Sequence, residues 1–210
     1  MEIGKWFWRR VRQVAPQKRQ ANFVLALFLI ALLIRYLVFL FYFDAKIPFG
    51  ADSDGYIECG RSLALGDLSL PEYLVRGGYA NTILYPLFLA AHYRVFGFSQ
   101  SPVIVTQVAL SSCIVVMIFL MALETIGKKG AYWAALIAAA YFYEIQWAFY
   151  ILTETLSLFL ITFTFYLFVK YSGTHRRLHL LAAAIALALS HTCQVGQWSI
   201  HPGHLSVACI

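Results

Sequence analysis

Long apolar runs separated by short polar connections dominate the chain. A helix needs about 20 apolar residues to cross the hydrocarbon core of a bilayer, and five runs are close to that length. They lie near residues 21–43, 102–126, 131–150, 153–171 and 178–197. The pattern predicts an all-α integral membrane protein with about five transmembrane helices.

The connection between the first two runs, residues 44–101, is far longer than the others. Apolar positions recur at helical spacing from Asp54 to Leu65, and the pair Gly66-Asp67 interrupts them. Residues 82–96 form a second apolar stretch that is too short to cross comfortably. We expect both stretches to be helices lying along the outer membrane surface.

Composition and charge agree with a membrane protein. The chain is 61% hydrophobic and only 12% charged, whereas soluble domains are about a quarter charged. Its net charge of +6 does not indicate nucleic-acid binding, because many basic residues crowd the first 19 positions. Basic segments near 128–129 and 170–177 fall on the same side. The positive-inside rule therefore predicts a cytoplasmic amino terminus in a multi-pass protein of the plasma membrane, the bacterial inner membrane.

The chain shows no linker or internal repeat, so we expect one membrane domain at 21–190, preceded by a basic cytoplasmic segment at 1–20. Its catalytic loop would be about 44–101. Residues 191–210 lose membrane character, which predicts a frameshifted or truncated end of a longer gene. Four cysteines, Cys59, Cys113, Cys193 and Cys209, lack CxxC spacing and predict neither metal nor redox chemistry.

Acidic residues with possible chemistry concentrate just after the first run, in the segment 50–56 with Asp52 and Asp54. A carboxylate at a membrane interface is partly desolvated and is suited to act as a general base. The same residues are also ordinary in helix caps and turns. A D-x-D triplet resembles the metal site of nucleotide-sugar enzymes, but hard cations prefer more oxygen ligands, and we expect no metal and no cofactor.

Several short motifs follow one another at intervals that match the predicted topology. They are Asp52-Ser53-x-x-Tyr56, Ser62-Leu63-x-x-Gly66, Tyr85-Pro86-Leu87-Phe88-Leu89-Ala90, Phe96-Gly97, Gln107 and Thr153-Glu154-Thr155-Leu156. Over residues 20–170 the chain resembles the GT-C glycosyltransferases that use polyprenyl-phosphate sugars, in the branch of protein mannosyltransferases and aminoarabinose transferases. The resemblance implies inverting transfer from a polyprenyl-phosphate donor to a lipid, glycan or protein acceptor on the outer face.

The resemblance also implies site residues. Asp52 matches the first Asp of the family pattern and would be the general base, with Asp54 as a second carboxylate and Tyr56 lining the pocket. Glu154 would enter from a short outer turn to contact substrate, although an acid also suits the start of a helix.

Three outer arginines, Arg61, Arg76 and Arg94, are available to a lipid phosphate, because a guanidinium matches phosphate oxygens. Arg76, beside two glycines, is expected to be the best exposed. The resembling enzymes commonly carry Arg-x-Pro before the Tyr-Pro pair at 85–86, which this chain lacks, so Arg76 is the candidate replacement. Solvated or headgroup-bound arginines are the alternative.

Other charged residues are expected to be structural. Arg35 lies inside the first run and should snorkel or pair with an acid. Glu144 is a candidate to reach the outer pocket. Glu124 and Lys128 have the spacing of a helical ion pair.

Two further alternatives stay open. His191, His201 and His204 could suggest a metal cluster, but no acid or close cysteine pair completes a ligand set. The chain could also be non-catalytic: a lipid-linked-sugar carrier, a transporter component or an inactive fragment. Enzymes of the resembling family have more than five spans, so we expect these 210 residues alone to be too short for turnover.

Overall fold

The computed structural model describes residues 18–43, 46–48, 50, 52–75 and 82–194. Within these ranges most residues are helical, and short non-helical connections join the helices. The helices are α1 (Lys18–Tyr42), α2 (Ser53–Leu65), α3 (Leu70–Val75), α4 (Leu84–Phe96), α5 (Ser101–Thr125), α6 (Lys128–Ala140), α7 (Phe142–Trp147), α8 (Glu154–Thr174) and α9 (Arg177–Gln194).

Helix α5 is the centre of the bundle. It packs against α1, α6 and α8, and α8 in turn packs along α9. Ala131, Ala135 and Ala139 form a buried stripe on α6 that meets the cluster of Leu27 and Phe119. Small side chains at this spacing let neighbouring backbones approach closely, as is common between membrane helices.

Three described helices are long and apolar enough to cross a membrane: Ala21–Tyr42 within α1, Ser101–Thr125 and Glu154–Thr174. The all-helical membrane class is confirmed. The predicted span at 131–150 is instead two helices, α6 and α7, broken at Tyr141, whose backbone is extended. The predicted span at 178–197 corresponds to α9, a shorter apolar helix than the other three.

The long connection contains the two predicted helices, as α2 and α4, together with α3, which the sequence pattern did not reveal. Helices α2 and α4 pack against each other at Gly60, where an added Cβ would lie 2.6 Å from Leu89 Cβ. Two of the three outer arginines serve this packing. Arg94 donates to the carbonyls of Leu63 and Ala64 at the end of α2, and Arg61 stacks over Phe98.

Two ion pairs fasten the membrane helices. Arg35 pairs with Glu144, as its buried position required, and also donates to the Ser111 hydroxyl. The carboxylate of Glu144, near the start of α7, is therefore ion-paired with Arg35. The predicted Glu124–Lys128 pair is wrong, because Glu124 binds Lys170 of α8. A tertiary contact was available to Glu124 that sequence spacing does not reveal.

Three of the cysteines lie among the described residues. Cys59 is buried in α2 and disulfide-bonded, whereas Cys113 and Cys193 are free thiols. That the cysteines carry neither metal nor redox chemistry stays a prediction.

Candidate functional site

The predicted base, Asp52, lies directly before α2 and is exposed. It occupies the N-cap position, yet its side chain makes no capping hydrogen bond. The turn is held instead by Ser53, which is fully buried and whose hydroxyl accepts a hydrogen bond from the Gly50 N–H at 2.9 Å. The Asp52 side chain therefore does not cap α2, and its exposed carboxylate is available to a ligand.

Glu154, the first residue of α8, carries the second carboxylate of the site. Its Oε2 atom is buried and has no hydrogen-bond partner, while its own backbone N–H donates to the carboxylate. Native proteins satisfy most buried polar atoms, so an orphaned acceptor at a helix start is a place where a hydroxyl of a ligand would fit.

The fold brings these two acids together from segments about 100 residues apart in sequence. Gly50 packs so tightly on Leu152 that an added Cβ would lie 2.8 Å from Leu152 Cδ1. Asp52 follows Gly50 by two residues and Glu154 follows Leu152 by two, so this contact brings the two acids near each other, and the charge of Asp52 acts on Glu154. Asp54 is exposed two residues further along α2, about 200° around the helix axis from Asp52. The two acids that the fold brings near each other are thus Asp52 and Glu154.

Behind the acids lies a buried layer of Tyr56, Tyr85 and Gln107. The rings of Tyr56 and Tyr85 meet edge to face, with centroids 5.3 Å apart. Burial raises the pKa of Tyr85 well above its ordinary value, so its hydroxyl stays protonated and donates to Gln107 Oε1 at 2.7 Å. Tyr56 is buried in this layer, with little surface left to line an open pocket.

Sequence reasoning named Tyr85 and Gln107 only as members of motifs and gave them no role. A polar residue inside an apolar run is the signal that could have found Gln107. Arg76, His201 and His204 lie outside the described residues. Within the described ranges, no group of three or more His, Cys, Asp or Glu side chains is arranged to hold a metal ion.

The site lies at one end of the bundle. Gln107 belongs to this buried layer, and Glu124 of the same helix binds Lys170. The two residues are about 25 Å apart along the axis of α5. That separation approaches the hydrocarbon thickness of a bilayer, about 30 Å. The carboxylates therefore lie near one membrane surface, and the basic connections after α5 and α8 lie near the other.

What the arrangement offers chemically is a pair of carboxylates at a membrane surface, one exposed and one partly buried. Such a pair is suited to accept a proton and a hydrogen bond from hydroxyl groups held between them. Among the described contacts, the guanidinium group of Arg61 stacks over Phe98 and that of Arg94 donates to backbone carbonyls.

Comparison with known proteins places the chain in a family. The sequence model described as dolichyl-phosphate-mannose-protein mannosyltransferase matches residues 80–197, a stretch that includes Tyr85, Gln107 and Glu154. Searches of curated proteins and of solved structures gave no match. Because the matched stretch covers more than half of the chain, this protein belongs to the dolichyl-phosphate-mannose-protein mannosyltransferase family and is a membrane glycosyltransferase of the GT-C type.

Proposed function

We propose that the protein, or the longer protein of which these residues would be the amino-terminal part, transfers a sugar from a polyprenyl-phosphate donor to a hydroxyl acceptor on the outer face of the plasma membrane. The observation that carries this proposal is the contact of Gly50 with Leu152, which brings Asp52 and Glu154 near each other at one end of the membrane bundle. Membership of a family named for a lipid-phosphate mannose donor supports the donor class. The acceptor belongs to one of three classes: lipid, glycan or protein.

The chemical step follows from the roles of the two acids. The acceptor oxygen attacks the anomeric carbon, its proton passes to the Asp52 carboxylate, and the bond from the anomeric carbon to the phosphate oxygen breaks. Polyprenyl phosphate leaves with the bonding electrons, and the anomeric configuration inverts. Glu154 Oε2, whose lone pairs are unused, accepts a hydrogen bond from a hydroxyl of the substrate. Arg76 is proposed to bind the donor phosphate.

The test is transfer in membranes of the native organism, with radiolabelled polyprenyl-phosphate mannose and other polyprenyl-phosphate sugars as donors. We expect label to move to an acceptor from at least one lipid donor, and none from nucleotide sugars. The product should have the opposite anomeric configuration to the donor. Donor binding without transfer from any member of the panel would overturn the proposal in favour of a non-catalytic lipid-sugar carrier.

The same proposal predicts the orientation in the membrane, with the amino terminus and Lys128, Lys129, Arg176 and Arg177 inside and residues 44–101 outside. In a background without the thiols of Cys113 and Cys193, and with that background itself as the labelling blank, Ser69→Cys should react with a membrane-impermeant maleimide in intact cells. Thr174→Cys, at the exposed end of α8, should react only after permeabilisation. The reverse pattern would invert the topology and place the two acids on the cytoplasmic side.

A further inference from the structure

Gln107 is a fully buried amide in the apolar helix α5, and its contacts account for its presence there. Its Oε1 atom accepts the Tyr85 hydroxyl at 2.7 Å. Its Nε2 atom donates to two backbone carbonyls, that of Tyr150 at 2.7 Å and that of Ala148 at 3.3 Å. One side chain therefore satisfies three hydrogen-bonding groups of α4 and of the segment before Glu154.

The orientation of this amide is fixed by its partners. Backbone carbonyls only accept hydrogen bonds, so the NH₂ group must face Ala148 and Tyr150. Tyr85 then meets the amide oxygen, and its hydroxyl must donate. A rotated amide would place its oxygen against two carbonyl oxygens and would lose both of those bonds, although the Tyr85 hydroxyl could still accept from its NH₂ group. The two carbonyls therefore select one arrangement.

The segment 148–153 needs such support because it is not helical. The segment is largely buried, and buried irregular backbone is stable only where other groups satisfy its carbonyls. It leads directly into Glu154, and its residue Leu152 packs on Gly50, two residues before Asp52. On the other side, Tyr85 packs on Tyr56 of α2, one turn beyond Asp52.

We propose that Gln107 is a positioning residue that fixes the segment 148–153, and with it Glu154, at its distance from Asp52. It touches neither acid and acts through the backbone at Ala148 and Tyr150 and through Tyr85. Its effect on transfer rests on the proposed function, whereas its effect on the geometry does not.

The first experiment measures geometry and needs no turnover. In a background without Cys113 and Cys193, whose own labelling is subtracted as the blank, Leu152→Cys is buried against Gly50 and should react slowly with maleimide in membranes. Adding Gln107→Met keeps the length of the side chain but removes all three hydrogen bonds. It should raise the rate of maleimide labelling at Leu152→Cys about 10-fold, because the segment around residue 152 would open more often. Ser112→Ala is the matched control, because Ser112 is buried on the same helix and bonds only to its own helix at Val108. An unchanged rate in Gln107→Met, or an equal rise in Ser112→Ala, would overturn the proposal.

The second experiment measures transfer in native membranes. Gln107→Met should lower kcat by about 100-fold, because displacement of a reacting group by about 1 Å has effects of that size. The donor KM should change by less than about 3-fold. In a Glu154→Gln background, Gln107→Met should remove less than a further factor of about 3, because both changes act on one group. If the losses of kcat in the two single variants multiplied in the double variant, Gln107 would have a general structural role, and its assignment as the residue that positions Glu154 would be overturned.

Tyr85→Phe is the second variant should Gln107→Met fail to accumulate in the membrane. It removes one of the three bonds and leaves the two to the backbone, so it should show a smaller change in the same direction. No change in either readout for a folded Tyr85→Phe protein would contradict the part of the proposal that includes α4. Failure of the proposed function looks different: Leu152→Cys labelling would still respond to Gln107→Met, while membranes with the wild-type protein would show no transfer from any polyprenyl-phosphate donor.

Discussion

Replacing Asp52 by asparagine is expected to lower the rate of sugar transfer by roughly 10²–10⁴-fold, the usual contribution of a general base. Asparagine has the same shape but cannot take the acceptor proton at neutral pH. The fold should be unaffected, because the Asp52 side chain is exposed and makes no capping hydrogen bond. The substitution would be made at the chromosomal locus and transfer measured in native membranes, with protein amount followed by immunoblot.

Binding separates this role from a loss of donor affinity. The equilibrium Kd of a radiolabelled polyprenyl-phosphate sugar for the Asp52→Asn protein should stay within about 3-fold of the wild-type value. The contacts that bind the donor before reaction do not depend on the general base. Glu58→Gln is the matched control, since Glu58 is an exposed acid on the same helix. Near wild-type transfer by Asp52→Asn would move the base to Asp54 or Glu154, and the corresponding single variants would identify it.

The second large effect is expected at the buried ion pair of Arg35 and Glu144, whose side chains are 0% and 7% exposed. Removing either partner alone, as in Arg35→Met or Glu144→Gln, leaves a buried charge without compensation. Such changes cost about 3–5 kcal/mol. For a chain of this size the Tm in nanodiscs should fall by roughly 6–20 °C. The double variant Arg35→Met/Glu144→Met should recover most of that loss, because neither charge remains.

The pair of Glu124 and Lys170 provides a comparison within the same protein. Lys170 is 32% exposed and lies near the end of α8, so when Glu124 is replaced by glutamine its ammonium group can still reach water. We expect this variant to lose about 0–1 kcal/mol, as for partly exposed pairs.

A double variant at Arg35 and Glu144 as unstable as the single ones would show that the geometry of Ser111 and Ala31 around the guanidinium matters more than charge.

How far the site follows from sequence differs from residue to residue. Asp52 could be selected because it follows a membrane span and matches a family motif, but the sequence could not say whether capping would occupy it. The structure resolves that question through Ser53, whose hydroxyl binds the Gly50 N–H. For Glu124, helical spacing predicted an ion pair with Lys128, whereas in the folded bundle its partner is Lys170. Spacing along one helix says nothing about the neighbouring helix.

The third apolar run shows the same limit. By length and composition it could cross the membrane, yet it breaks at Tyr141, and the short helix beyond the break buries Glu144 beside Arg35. Each ion must be paired in an apolar interior, and the sequence shows the two charges without showing that they meet. The expectation that Arg35 pairs with an acid was confirmed, while the identity of that acid came from the fold.

The sequence by itself determined the helical membrane class, the helices α2 and α4 of the long connection, and the family resemblance. These depend on hydrophobic periodicity and on short motifs, which are local properties of the chain. Only the tertiary structure decided that the contact of Gly50 with Leu152 brings Asp52 near Glu154 and that Gln107 donates to the backbone of the segment before Glu154. Those contacts join residues about 40 to 100 positions apart, and packing of the helices around α5 selects them.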